Sequence, residues 1–100
     1  MLRHVVLFKY KPEADEAARA AVAQAFVALK GEIAFLRALE WGRNESPEGL
    51  DKGYTHCFVL SFDSAADRDA YLPHPAHQRF VAFVQPWLAE VLVFDYATQA

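Results

Sequence analysis

The sequence is poor in the features that mark several large classes of protein. Cys57 is its only cysteine, so no internal disulfide can form, and we predict a cytoplasmic location. No apolar stretch approaches the length of a membrane span, and the N-terminus lacks the regions of a signal peptide. There is no run of Lys or Arg and the formal net charge is -3 at pH 7, which argues against a nucleic-acid partner.

Ligands for cofactors and metals are equally scarce. No glycine-rich phosphate loop is present. His74 and His77 have a spacing that could in principle ligate a metal ion, but no convincing third and fourth ligands accompany them. We therefore predict a protein that uses neither a metal nor a cofactor.

Apolar residues, by contrast, are abundant. The chain has 100 residues, of which 54% are hydrophobic and 14% aromatic. This length predicts a single domain over residues 1–100. The apolar share exceeds what one small core needs, so part of it is expected to meet a partner subunit.

Hydrophobic periodicity predicts four strands and three helices. The strands are expected at Leu2–Tyr10, Leu36–Arg43, Tyr54–Phe62 and Val91–Tyr96. The first helix follows Pro12 and carries an apolar stripe to Ile33, with Gly31 placed to help end it. A short helix capped by Asp63-Ser64 runs to about Leu72, and the last begins at Pro75, carries a stripe to Leu88 and should be kinked by Pro86. This order predicts an α+β fold, the ferredoxin-like βαββαβ arrangement with a four-stranded antiparallel sheet and helices on one face.

The first and third strands are apolar on both faces. Val5 and Leu7 alternate with bulkier residues in the first strand, and Cys57 and Val59 do so in the third. A sheet covered by helices on one side normally shows polar residues on the other. We therefore predict a homodimer that packs sheet against sheet, and the alternative is a monomer with exposed valines.

Histidines lie on the faces expected to look toward the helices. His4 and His56 share strand faces with phenylalanines, His77 lies on the stripe of the last helix, and Tyr71 precedes the Pro73 break. We predict that these residues line one cavity suited to a small apolar or aromatic carbonyl ligand. Further ligand contacts are assigned to Phe8, Phe26 and Trp87.

Imidazole suits proton transfer and a phenol can donate to a developing enolate, so removal of a proton alpha to a carbonyl is the favoured chemistry. The alternative is that each histidine is a core residue with a structural partner.

Five segments carry a resemblance to a known family. They are His4-Val5-Val6-Leu7-Phe8-Lys9, Trp41-Gly42, Gly53-Tyr54-Thr55-His56, Tyr71-Leu72-Pro73-His74-Pro75-Ala76-His77 and Phe94-Asp95-Tyr96. On these segments the chain resembles the stress-responsive α/β-barrel domain family, the dimeric α/β barrels. The resemblance implies a ferredoxin-like fold whose two sheets close into a barrel at the dimer interface.

The resemblance also implies an activity. The best-understood family member closes a linear polyketide by aldol condensation without a cofactor. By motif, its catalytic residues fall on Tyr71 and His77, and its supporting histidines fall on His4 and His56. We therefore predict a small-molecule-binding protein that acts as a cofactor-free cyclase or lyase. A non-catalytic stress-response protein with structural histidines and a cofactor-free monooxygenase are the alternatives.

Overall fold

A four-stranded antiparallel sheet carries all the helices on one face. A computed structural model describes residues 1–100. In chain order the elements are β1 (Leu2–Tyr10), α1 (Glu16–Glu32), β2 (Ala38–Arg43), β3 (His56–Phe62), α2 (Ala65–Tyr71), α3 (Pro75–Val84) and β4 (Leu88–Ala97). The strands lie in the order β2-β3-β1-β4, and every neighbouring pair is antiparallel. This is the predicted ferredoxin-like fold, with the second helix divided into α2 and α3.

The helix boundaries have local causes. The Asp15 side chain accepts from the backbone N–H of Ala18 at 2.8 Å and so caps α1. Ser64 caps α2 by accepting from the N–H of Asp67. The prediction that Gly31 helps end α1 is wrong, because Gly31 lies within the helix, which ends at Glu32 and is followed by the extended backbone of Ile33.

Local turns shift three of the predicted boundaries, two at strands and one at a helix. Leu36 belongs to a turn that follows α1, in which its N–H donates to the Ile33 carbonyl, so β2 begins only at Ala38. Tyr54 donates to Asp51 in a turn that delays β3. Pro86 does not kink α3 but ends it, because a 3-10 turn over Gln85–Trp87 leads directly into β4.

The core lies between the sheet and the helices and is rich in stacked aromatic rings. Phe26 of α1 lies 4.5 Å from Phe58 and 4.4 Å from Phe80, measured between ring centroids. Phe8 packs on the same cluster, 5.3 Å from Phe58. The cluster joins β1, β3, α1 and α3, and it fixes how far the helices stand from the sheet.

The opposite face of the sheet carries an uncovered apolar patch, called here the outer face. It consists of Val5, Leu7, Cys57, Val59, Leu92 and Phe94. The register places Val5 between Val59 and Phe94, which joins the residues into one patch. Phe94 is 63% exposed, whereas Val6 and Phe8 on the helix side are buried. The predicted two-sided character of the strands is thus present in the structure. None of the helices is both long enough and apolar enough to cross a membrane.

Candidate functional site

A cavity of about 450 Å³ opens between one half of the sheet and helices α2 and α3. Its walls are mostly apolar, and they include Val6, Phe8, Phe26, Phe80, Val84, Val91 and Val93. Five side chains with strongly polar groups converge at one end, namely His4, Arg68, Tyr71, His77 and Asp95. A mostly apolar cavity of this size with a few polar groups is typical of small-molecule sites.

The break between α2 and α3 brings Tyr71 and His77 together. The N–H of His74 donates to the Tyr71 carbonyl, and His74 then caps α3 by accepting from the N–H of Ala76. This turn folds α3 back on α2, so that the Tyr71 and His77 ring centroids lie 4.3 Å apart. His74 thus has the structural role expected of a histidine at a helix end.

The hydrogen bonding of His77 fixes which of its nitrogens can accept a proton. Its Nδ1 lies 2.8 Å from the Leu72 carbonyl, and because a carbonyl only accepts, Nδ1 carries the hydrogen. Burial lowers the pKa of His77, with His4 and His74 adding to the effect and the Leu72 hydrogen bond opposing it. His77 is therefore a neutral imidazole near pH 7 with a free lone pair on Nε2.

Tyr71 is the most deeply enclosed polar side chain at this end. The residue is fully buried, and its hydroxyl has no hydrogen-bond partner in the protein. Burial raises the pKa of Tyr71, so the phenol keeps its proton near neutral pH. A buried donor without a partner is costly unless a bound group accepts from it.

A chain of charged contacts supports the polar end from the sheet side. Nδ1 of His4 lies 2.7 Å from one oxygen of Asp95, and the other oxygen of Asp95 accepts from Arg68 at 2.7 Å. Arg68 also donates to Asp69 at 2.8 Å. The carboxylate orients the His4 ring, which packs edge-on against Tyr71 with centroids 5.8 Å apart. His4 and His77 therefore flank the Tyr71 ring.

His56 and Trp87 do not line this cavity, which corrects the prediction that they join the site. His56 faces the helices as expected, but it pairs with Phe8 whereas His4 pairs with Leu60. His56 therefore lies beside Phe8, four residues from His4 along β1, which corresponds to about 13 Å at the rise of a β-strand. His56 instead stacks on Trp41, with centroids 5.9 Å apart, and contacts the Thr55 hydroxyl. Trp87 is partly buried against the core and, unlike its neighbours Gln85 and Leu88, does not line the cavity.

Phe8 and Phe26 do line the cavity, as expected, while Arg68 and Asp95 were missed. Arg68 lies three residues before Tyr71 on α2, so the two share a helix face. Asp95 is a carboxylate that follows four apolar residues of β4, and it pairs with His4. Both signals are present in the sequence. No group of three or more His, Cys, Asp or Glu side chains is arranged to hold a metal ion.

The fold and the cavity together define a ferredoxin-like small-molecule-binding barrel domain. A model of the stress-responsive A/B barrel domain family matches residues 2–98, and the chain belongs to this family. It is 33% identical to the stress-response A/B barrel domain-containing protein HS1 of Arabidopsis thaliana, over 95% of this chain and 87% of that one. It is 28% identical to olivetolic acid cyclase of Cannabis sativa, over 95% of this chain and 94% of that one.

Solved structures share the fold over nearly the whole chain. A crystal structure of an Arabidopsis thaliana protein superposes with a TM-score of 0.95 at 31% identity, covering 100% of this chain and 97% of that one. A protein from Thermobifida fusca, described as a dimeric ferredoxin-like protein of unknown function, superposes with a TM-score of 0.81 at 26% identity. It covers 97% of this chain and 90% of that one.

Proposed function

We propose that this protein binds a small carbonyl compound in its cavity and removes a proton alpha to the carbonyl without a cofactor. His77 is the general base, since it is neutral near pH 7 and its Nε2 is free to accept. Tyr71 donates to the carbonyl oxygen as enolate charge builds. The single observation that carries the proposal is the buried, unpartnered hydroxyl of Tyr71 beside the His77 ring.

The enolate formed in this way is a carbon nucleophile, which can attack a second carbonyl and close a ring. His4, oriented by Asp95, completes the polar end and contacts the ligand. Phe8 and Phe26 contribute to the apolar wall that holds the ligand body. A lyase or cyclase acting on a polyketide-like or aromatic compound fits this arrangement, and one relative carries the name of a cyclase.

The protein works as a homodimer in this proposal. The outer face is the surface that a second copy covers, because no helix of the chain reaches it and its central residues are apolar. The similarity to a protein described as dimeric and ferredoxin-like supports this assembly.

A non-catalytic stress-response role is the second candidate, and it is favoured by the similarity to HS1, which is named for its stress-response domain. In that case the histidines are structural, and the free Tyr71 hydroxyl serves ligand binding at most. No residue that lines the cavity favours the monooxygenase alternative over the cyclase or the non-catalytic role.

Proton abstraction can be tested without knowing the natural substrate. An aryl methyl ketone is incubated with the protein in D₂O, and NMR follows deuterium exchange into its methyl group. We expect the wild-type protein to accelerate exchange, and we expect His77→Ala to reduce the acceleration by about a hundredfold or more. Tyr71→Phe should reduce it by a similar factor, since it removes the oxyanion donor.

His74→Ala is the matched histidine control, because His74 caps α3 and does not line the cavity. It should keep the exchange activity while losing about 1 kcal/mol of stability. If the wild-type protein binds the ketone but catalyses no exchange, the non-catalytic role replaces this proposal.

A further inference from the structure

Arg68 lies between two carboxylates at the polar end of the cavity. Arg68 supplies the only guanidinium or ammonium group in the lining. Its Nε donates to Asp69 at 2.8 Å and its Nη1 donates to Asp95 at 2.7 Å. One cation thus faces two carboxylates, so a ligand carboxylate beside Arg68 would be the third anion around a single guanidinium.

The two carboxylates occupy different positions. The Asp95 side chain is 20% exposed, lines the cavity and also contacts His4. The Asp69 side chain is 67% exposed and does not line the cavity, so it cannot contact a ligand there. Asp69 therefore acts only through Arg68, whereas Asp95 would also repel a ligand anion directly in a largely apolar cavity.

We propose that the cavity selects carbonyl compounds that are uncharged at their polar end, and that Asp69 enforces this selectivity by occupying Arg68. This inference rests on the proposed function, in that the cavity binds a small carbonyl compound. The natural substrate is then a ketone, an aldehyde or a neutral ester or thioester rather than a free carboxylic acid. Asp69 is a specificity-determining residue that never touches the ligand.

A matched pair of probes tests the selectivity. The probes are para-isopropylacetophenone and para-isopropylbenzoate, which have nearly the same shape but differ by one charge at neutral pH. Each is titrated into the full chain, and NMR follows the methyl signals of Val91 and Val93, which line the cavity. The wild-type protein should bind the ketone more tightly than the carboxylate by about tenfold or more.

Neutralising Asp69 should reduce the difference between the affinities for the ketone and for the carboxylate. Asp69→Asn is expected to raise the carboxylate affinity by about threefold to fivefold, the modest size expected of an exposed pair, with less than about a twofold change for the ketone. Adding Arg68→Gln to Asp69→Asn should abolish the gain in carboxylate affinity, because no guanidinium or ammonium group then remains in the lining. Asp63→Asn is the control, since it neutralises a similarly exposed carboxylate that pairs with Arg37.

The outcomes separate this inference from the proposed function. If the wild-type protein binds the carboxylate more tightly than the ketone, the inference alone is overturned. The same holds if Asp69→Asn leaves the ratio of the two affinities unchanged. An equal gain in Asp63→Asn would also overturn it, because the effect would then follow net charge and not Arg68. Failure of both probes to bind would overturn the proposed function, and the inference with it.

Discussion

The exposed phenylalanine at the centre of β4 offers a direct test of the proposed dimer. Phe94 lies beside Val5 on the outer face and is 63% exposed in the single chain. With about 200 Å² for a phenylalanine, roughly 125 Å² would be removed from water when a second copy covers it. At about 25 cal/mol per Å² this amounts to roughly 3 kcal/mol per chain.

Phe94→Ala should therefore weaken the dimer strongly. Alanine retains a small part of the buried area, so the loss is about 2 kcal/mol per chain and about 4 kcal/mol for the symmetric pair. This corresponds to about a thousandfold increase in the dissociation constant. Sedimentation velocity over a range of concentrations should show a wild-type dimer at micromolar protein and a dissociating variant.

Phe83→Ala is the matched control, because Phe83 is 44% exposed but lies on α3, away from the outer face. It should sediment like the wild-type protein. If Phe83→Ala dissociates the dimer and Phe94→Ala does not, the subunits meet through the helices and the argument from the sheet fails. A wild-type protein that stays monomeric at every concentration would refute the dimer itself.

Two further predictions concern stability. Burial lowers the pKa of His56, with Arg43 and Arg19 adding to the effect and Glu16 opposing it, and burial likewise lowers the pKa of His77. Because the unfolded chain takes up these protons near pH 6.5 and the folded chain only at lower pH, the free energy of unfolding should fall as pH drops from 7.5 to 5.5. Urea unfolding measures this, and His56→Gln with His77→Gln should flatten the dependence. Gly53→Ala should destabilise the protein by about 1 kcal/mol, because Gly53 has φ of +89°, a backbone conformation that alanine adopts only with strain. A thermal melt that shows no loss would contradict this explanation.

The alternation of side chains was enough to predict the layers of the fold. In β1, whose predicted limits Leu2 and Tyr10 are confirmed, it separates buried Phe8 from the outer-face residue Leu7. Strand ends were less predictable, because Leu36 and Tyr54 are apolar or aromatic residues that the chain uses in turns. Periodicity reports which face a residue occupies, whereas a turn is decided by hydrogen bonds that periodicity does not contain.

His56 shows the corresponding limit for the site. Alternation assigns His4 and His56 to the same face, and the structure agrees. Their separation along that face depends on the register of β1 against β3, which sets His56 opposite Phe8. The sequence motifs do not state that register, so the prediction that His4 and His56 line one cavity does not follow from their shared face.

Arg68 and Asp95 show what a sequence can still reveal once the register is known. Asp95 is an ionisable residue between Phe94 and Tyr96, and such a residue needs a partner if its face is covered. The antiparallel pairing of β1 with β4 supplies His4 directly opposite, and the helical turn that separates Arg68 from Tyr71 brings the guanidinium to the same end. The polar end is thus assembled from four elements, β1, α2, α3 and β4, and its charge balance follows from contacts between them. For this reason His4, Tyr71 and His77 could be predicted from the sequence, whereas the pairing of Arg68 with Asp95, and with it the proposed exclusion of anions, could be inferred only from the geometry around Arg68.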